Sequence, residues 1–246
     1  MKNYITGVIA ILLTGLSIVA ADSARSNEFE GIWVRKKYVD SLPQTHSQFA
    51  EGPESVTIST KEHRLSWTSY HESSWRPLLD IEVAGATRFL VVGNWEVESS
   101  QVTEGLRVPF RETRNGAGKI TAIEFLDNSL VQYKEEAFVQ LDVPLQQYAN
   151  NVLLSGTYKD EQGRTFAFSN DGVALWPGTT FPYELTLDSS EAGCDYFQTE
   201  DQNEPGQRKR YGFRWNGEEL QLFKIIYDSA VPIQCEKEPF VSLIRH

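Results

Sequence analysis

The sequence predicts an all-β protein made of two tandem antiparallel up-and-down barrels of about eight strands each, joined by a short helical linker. Short segments alternate apolar and polar residues with a period of two, as residues 183–188 do. A hairpin pattern occurs twice, at residues 56–67 and 166–176. No helical run interrupts the strands of the second half. Closure into a barrel would remove exposed sheet edges, and a sandwich is the alternative that the sequence leaves open.

The chain begins with the pattern of a secretory signal peptide, predicted at residues 1–21. Lys2 precedes an apolar run at residues 4–21, and Val19-Ala20-Ala21 supplies small residues suited to cleavage. An uncleaved anchor is disfavoured because 18 residues lie at the short end for a membrane span. We therefore expect a secreted or periplasmic protein without stable membrane insertion after cleavage. The lack of any Asn-x-Ser/Thr sequon favours a bacterial envelope.

The rest of the chain reads as two copies of one plan, with a first barrel domain predicted at residues 22–149 and a second at residues 150–246. Gly31-Ile32-Trp33 opens the first copy, as Gly156-Thr157-Tyr158 opens the second. Pro144 starts the predicted helical linker at residues 144–152. Further landmarks match in the same order: 120–126 with 211–215, 130–134 with 220–224, and 138–141 with 240–243.

Strand predictions are clearest in the second copy, and the first copy has the same plan with longer connections at residues 41–54 and 99–105. The predicted strands of the second copy are 157–160, 164–169, 173–176, 183–188, 194–199, 209–215, 219–226 and 240–245.

Gly31 and Trp33, placed in the first strand of such a barrel, resemble the start of lipocalin and calycin superfamily proteins. In that superfamily the Trp closes one end of the barrel, and an Arg near the C-terminal end packs across it. Residues 138–142 contain no Arg, whereas the second copy has Arg245 but Tyr158 in place of the Trp. The resemblance implies a barrel that is filled or holds a ligand, and it implies no particular ligand.

The charge argues against nucleic acid as a partner. The net charge is −11, and residues 22–149 carry 13 basic and 19 acidic groups while residues 150–246 carry 9 and 15. Neither half therefore offers a basic face for phosphates. An acidic surface suits a cationic protein partner, which makes an interaction or inhibitor protein one hypothesis.

Cys194 and Cys235 are predicted to form a disulfide, because an even number of cysteines in an exported chain favours pairing. Two free thiols are the alternative. Two cysteines without nearby histidines make a poor zinc site, so we expect no metal and no cofactor.

Common catalytic signatures are missing from the sequence, including Gly-x-Ser-x-Gly, His-Glu-x-x-His and phosphate-binding glycine-rich loops. If residues 63–71 form one strand, its two histidines share a face. Aromatic and titratable side chains line small-molecule pockets, although aromatic side chains also fill cores. The candidate ligand-binding residues are His63, Trp67, Tyr70, His71, Trp75 and Trp95.

These features support three hypotheses. The leading one is an exported, non-enzymatic barrel protein that binds a small apolar or amphipathic molecule in the first copy. The second is the acidic interaction protein. The third is an enzyme with His63 or His71 as base and Glu72 as partner, which requires a histidine within about 3.2 Å, or one water, of a carboxylate.

Overall fold

The computed structural model describes residues 27–48, 51–68, 73–96, 101–187, 193–200, 207–226 and 234–246, with the backbone alone at residues 73, 95–96 and 101–104. The predicted signal peptide lies outside these ranges. Among the helices that the described ranges contain, none is long and apolar enough to cross a membrane.

Eight antiparallel strands form a closed barrel in the first half of the chain, called the first barrel. Each strand pairs with its neighbours in sequence, and β1 pairs with β8 to close the ring. The strands are β1 (Gly31–Arg35), β2 (Ser55–Ser59), β3 (Arg64–Thr68), β4 (Ser73–Ala84), β5 (Thr87–Glu96), β6 (Gln101–Arg114), β7 (Ile120–Phe125) and β8 (Ala137–Leu141).

The second half forms another antiparallel barrel, called the second barrel, in which β12 and β13 lie at the two ends of the strand order. Only Tyr183 separates these two strands in sequence, so one extended segment pairs with β11 at its start and with β14 at its end. This shared segment closes the sheet. The strands are β9 (Gly156–Lys159), β10 (Thr165–Phe168), β11 (Val173–Trp176), β12 (Thr179–Pro182), β13 (Glu184–Leu185), β14 (Asp195–Glu200), β15 (Arg208–Asn216), β16 (Glu219–Ile226), β17 (Gln234–Cys235) and β18 (Val241–Arg245).

The predicted fold class is confirmed, since the chain is mainly β and its two antiparallel sheets form barrels rather than a sandwich. The helices are a short 3₁₀ helix (Asn27–Phe29), α1 (Lys36–Thr45) and α2 (Leu145–Leu153). Helix α2 lies where the linker was predicted. The division into domains at residue 150 falls inside α2 and stays a prediction.

Several strands differ from the prediction, and of the strand predicted at residues 183–188 only Glu184–Leu185 form a strand (β13) in the described ranges. Residues 130–134 form a loop rather than a strand, and Leu130 and Val131 are buried against the core of the first barrel. Residues 179–182 form β12, which the sequence reading missed because only Phe181 of this short segment is buried.

Helix α1 is also unexpected, because residues 41–54 read as a connection. Tyr38 and Leu42, four residues apart, are fully buried on one face. Pro43 has no N–H, so the carbonyl of Val39 lacks its usual donor in the helix. That carbonyl accepts a hydrogen bond from the Tyr148 hydroxyl of α2 at 3.2 Å. The proline therefore frees an acceptor that joins the two helices.

Helix α1 and the residues after it pack against the second barrel. Tyr38 and Leu42 belong to the same buried cluster as Phe213 of the second barrel. The ring of His46, just beyond the helix, lies 5.3 Å from the ring of Trp215. A segment of the first half thus completes the core of the second half.

Asp195, the first residue of β14, joins the two halves by hydrogen bonds. Its Oδ1 accepts from the hydroxyl of Ser47 at 3.0 Å and from the backbone N–H of Gln48 at 2.9 Å. Burial raises the pKa of Asp195 to about 6, although these two bonds and the charge of Arg214 act to lower it. The folded chain therefore holds this proton more tightly than an unfolded chain does.

We expect Asp195→Asn to stabilise the protein at neutral pH. The pKa of an unfolded Asp is about 3.9, so the favourable contribution is complete below about pH 4 and is lost as the pH rises to about 6. Asn keeps an oxygen acceptor without a charge to bury. Urea unfolding should show a gain of about 1–3 kcal/mol at pH 7 and a flatter slope between pH 4 and 6. A loss of stability at pH 7 would contradict this, and exposed Asp142→Asn is the control.

Cys194 and Cys235 form the expected disulfide, which connects residues 41 positions apart. The bridge crosses the outer face of β15 at Gly212, whose neighbours Tyr211 and Phe213 point into the core. A Cβ atom at Gly212 would overlap Sγ of Cys235. Glycine is therefore required there by the close approach of the disulfide.

The interior of the first barrel is filled by side chains. Trp33, Phe110, Phe125 and Phe138 are fully buried, and the rings of Phe125 and Phe138 meet edge to face with centroids 5.2 Å apart. Aliphatic side chains complete this core: Val56, Ile58, Leu65, Leu78, Leu90, Val92, Val108, Ile120 and Ile123.

A polar cluster covers the end of the first barrel at which β1 finishes. Nε of Arg35, a buried residue, donates to Glu136 at 2.6 Å, and its guanidinium lies 3.6 Å from the ring centroid of Tyr133. The carboxylate of Glu54 accepts from the backbone N–H groups of Gln132 at 2.6 Å and Tyr133 at 3.2 Å. Burial raises the pKa of Glu54 in spite of these bonds.

Candidate functional site

A groove on the outer surface of the first barrel brings together two of the predicted ligand-binding residues, His63 and Trp75. It has a volume of about 550 Å³ and lies between the β2–β3 turn and strand β4. Its lining residues are Glu62, His63, Arg64, Trp75, Pro77, Leu78 and Leu79. We call it the β3–β4 groove.

Two local irregularities shape this groove. His63 has a φ of 49°, in the left-handed region that non-glycine residues rarely adopt, and its carbonyl accepts from the N–H of Leu78 at 2.9 Å. On β4, the pairing with β5 shifts between Leu78 and Asp80, which leaves Leu79 as the extra residue of a bulge. Residues of the turn and of the bulge therefore both line the groove.

The groove exposes unusually large apolar side chains. Trp75 is 45% exposed and Leu79 is 41% exposed. The guanidinium carbon of Arg64 lies 5.0 Å from the ring centroid of Trp75, and Nε of Arg64 donates to the hydroxyl of Ser66 at 3.1 Å. An apolar surface with a few polar groups at its edge is typical of sites for small molecules.

The predicted strand at residues 63–71 is wrong at its start. The left-handed backbone of His63 places it in the turn, and β3 runs over Arg64–Thr68. His63 is exposed, and in the described ranges no carboxylate lies within hydrogen-bond distance of its ring. The geometry required for a base at His63 is therefore missing from this part of the chain.

Trp67 lies apart from the groove, on the inner face of β3, where it packs partly buried against the core of the first barrel. The guanidinium carbon of Arg76 is 5.9 Å from its ring centroid, and Nη1 of Arg76 donates to Oδ1 of Asn94 at 2.9 Å. The Asn94 side chain lies over Gly105, where a Cβ atom would overlap it. Trp67 therefore lies at the edge of the core of the first barrel, where the polar side chains of Arg76 and Asn94 adjoin it.

The remaining candidate residues are not located by the described ranges. Tyr70 and His71 lie outside them, as does Glu72, the suggested partner of a catalytic histidine. Trp95 is in β5, and its side chain lies outside the described atoms.

A second concavity, of about 320 Å³, lies beside the 3₁₀ helix, where β4 ends, β5 begins and β6 ends. Phe29, Ile81 and Val83 are among its lining residues. Its charged groups bond to one another. Glu112 accepts from Nε of Arg114 at 2.8 Å and from Nη2 of Arg88 at 3.2 Å. Burial acts to raise the pKa of Glu112, but these bonds lower it overall. This self-paired network leaves few polar groups for a ligand.

Two concavities on the second barrel expose less apolar surface than the β3–β4 groove does. One of about 320 Å³ is lined by acidic side chains such as Asp160, Glu161 and Glu238, and another of about 230 Å³ includes Glu184 and Glu200. Within the ranges that the structure describes, no cluster of His, Cys, Asp and Glu could hold a metal ion.

Sequence reasoning missed Arg64 and Leu79 as groove residues. A regular strand over residues 63–71 puts Arg64 on the opposite face from His63, and only the turn at His63 brings both to one groove. Leu79 appeared as an ordinary apolar residue because the bulge on β4 has no sequence signature here. Arg64 lies beside the predicted His63 in sequence, which was the available signal.

Comparison with known proteins gives no match: no protein-family model, no curated protein and no solved structure matches this chain.

Proposed function

We propose that this chain is an exported, non-enzymatic protein that binds a small apolar or amphipathic molecule in the β3–β4 groove of the first barrel. The observation that carries the proposal is the pairing of two exposed apolar side chains, Trp75 and Leu79, in a concavity of about 550 Å³. Volumes of 300–1,000 Å³ with apolar lining are usual for sites that hold one small molecule.

The location on the outer surface follows from packing. The ring and aliphatic side chains inside the first barrel are buried against one another. A ligand in that interior would have to displace several of them, and each large buried side chain contributes about 1.5–3 kcal/mol by its burial. The groove already exposes its apolar surface to water, so a ligand there gains burial without such displacement.

Export is supported by the disulfide between Cys194 and Cys235, because disulfides persist mainly in oxidising compartments. The predicted signal peptide and the secreted or periplasmic location are part of the proposal.

The proposed relation to lipocalin and calycin barrels is supported by the first strand of each barrel. Nε1 of Trp33 donates to the carbonyl of Phe29 at 2.8 Å, and the hydroxyl of Tyr158 donates to the carbonyl of Leu154 at 2.6 Å. In each case a ring of the first strand bonds to the carbonyl four residues earlier, which also supports an internal repeat.

The last strand of each barrel supports the same relation. Gln140 of β8 donates to the carbonyl of Glu30 at 2.7 Å, and Arg245 of β18 donates to the carbonyl of Ser155. Each acceptor immediately precedes the glycine that begins the first strand. Gln140 thus takes the place of the Arg that the first copy lacks.

Trp75→Ala is expected to weaken binding of N-phenyl-1-naphthylamine, a neutral apolar fluorescent probe, at least tenfold. The substitution removes the largest apolar surface of the groove, and an exposed position on a strand tolerates it in folding. Fluorescence titration of the purified protein measures the change. Leu175→Ala, which removes a comparably exposed side chain on the second barrel, is the matched control and should leave affinity unchanged. Equal affinity of Trp75→Ala and the natural protein would refute the proposed site.

A further inference from the structure

We infer that the ligand of the β3–β4 groove carries an anionic head, such as a carboxylate, sulfonate or phosphate, that Arg64 binds while its apolar body lies on Trp75 and Leu79. This inference rests on the proposed function and names the chemical class of the ligand.

The first step concerns the partners of the arginines in the first barrel. In the described ranges most of them form salt bridges, whereas Arg64 and Arg76 have no carboxylate within salt-bridge distance, and Arg76 bonds instead to Asn94. Within these ranges Arg64 is thus an exposed guanidinium without an ion pair, in a chain of net charge −11. The arginines with carboxylate partners are Arg35, Arg88, Arg107, Arg111 and Arg114.

The second step concerns the geometry of Arg64. Its Nε donates a hydrogen bond to the hydroxyl of Ser66, and its guanidinium carbon lies 5.0 Å from the ring centroid of Trp75. These two contacts orient the guanidinium, and no carboxylate of the described residues pairs with its terminal N–H groups. A planar guanidinium held in this way can bind two oxygens of an anion at once.

The third step concerns the neighbouring charge. Glu62 also lines the groove, and it forms no ion pair with Arg64 in the described structure. Among the described residues an anion therefore has no ion pair of Arg64 to break, whereas the charge of Arg64 would repel a cationic group placed beside it. The net negative charge of the protein also repels anions, but at 0.15 M salt the screening length of about 8 Å removes most of the repulsion from exposed charges farther away than that.

The test uses two probes that share one skeleton and differ in one charged group. 1-Anilinonaphthalene-8-sulfonate is N-phenyl-1-naphthylamine with an added sulfonate. At 0.15 M salt we expect the natural protein to bind the sulfonate probe at least tenfold more tightly than the neutral one. Arg64→Gln should abolish this difference and change affinity for the neutral probe less than threefold. Arg107→Gln, which removes an exposed arginine paired with Glu82, is the control and should preserve the difference.

Equal binding of both probes by the natural protein, or a preference that survives Arg64→Gln, would overturn the anionic ligand while leaving the proposed groove intact. Failure of both probes to bind, or binding that Trp75→Ala does not weaken, would overturn the proposed function itself.

Discussion

Leu42→Ala is expected to destabilise both barrels together, by about 2–5 kcal/mol. Leu42 is fully buried in α1, yet it belongs to the cluster that also contains Phe213 and Leu220 of the second barrel. Removing its branched end leaves a cavity between the two halves, and the surrounding strands can close it only in part. The second barrel should therefore respond to a substitution in the first half of the chain.

Urea unfolding measures the change in stability. Amide hydrogen exchange in β5 and in β16 shows how much protection each barrel loses. Protection should fall in both strands by similar amounts. Gln44→Ala, an exposed position in the same helix, should change stability by less than about 0.5 kcal/mol. Loss of protection in β5 alone would show that α1 does not support the second barrel.

Removal of the disulfide by Cys194→Ser with Cys235→Ser is expected to cost about 2–4 kcal/mol. The bridge closes a loop of 41 residues, so the unfolded chain without it gains considerable freedom. Thermal or urea unfolding measures the loss, and the natural protein with its disulfide intact is the reference. A change below about 0.5 kcal/mol would contradict the expected role of the bridge.

A substitution at Gly212 provides a second test of the disulfide. Gly212→Ala should cost about 1–3 kcal/mol in the oxidised protein, because its Cβ atom overlaps Sγ of Cys235. Gly212 has no positive φ, so alanine is compatible with its backbone. In the variant without cysteines the overlap with Sγ of Cys235 is gone and the contact with Cδ1 of Ile225 at 3.3 Å remains, so Gly212→Ala should cost clearly less than in the oxidised protein. Additive effects of the two changes would show that the disulfide does not dictate the glycine.

Much of the fold could be predicted because its signals are local. Alternation in residues 211–216 predicts the strand found as β15, and Gly172 after Asp171 supplies the positive φ of the turn between β10 and β11. Helix α1 could not be predicted in the same way. Its two core residues face the other barrel, and Pro43 argues against a helix because nothing in the sequence shows that the Tyr148 hydroxyl donates to the freed carbonyl of Val39.

The candidate site was predicted only in part, because it depends on two irregularities of the backbone. His63 and Trp75 were chosen for their chemistry, and a regular strand through His63 would have placed Arg64 on the other face. The left-handed turn at His63 and the bulge at Leu79 bring these residues to one groove. Neither irregularity is marked in the sequence by a residue such as glycine.

The most direct test of the outer groove is a crystal structure of the protein grown with 8-bromooctanoate, an apolar chain that carries a carboxylate and an anomalous scatterer. We expect the bromine peak within about 4.5 Å of Trp75 or Leu79, with the carboxylate against Arg64 and the core of the first barrel unchanged. A bromine peak inside the first barrel with Trp33 or Phe110 displaced, or a bromine peak inside the second barrel, would contradict the account.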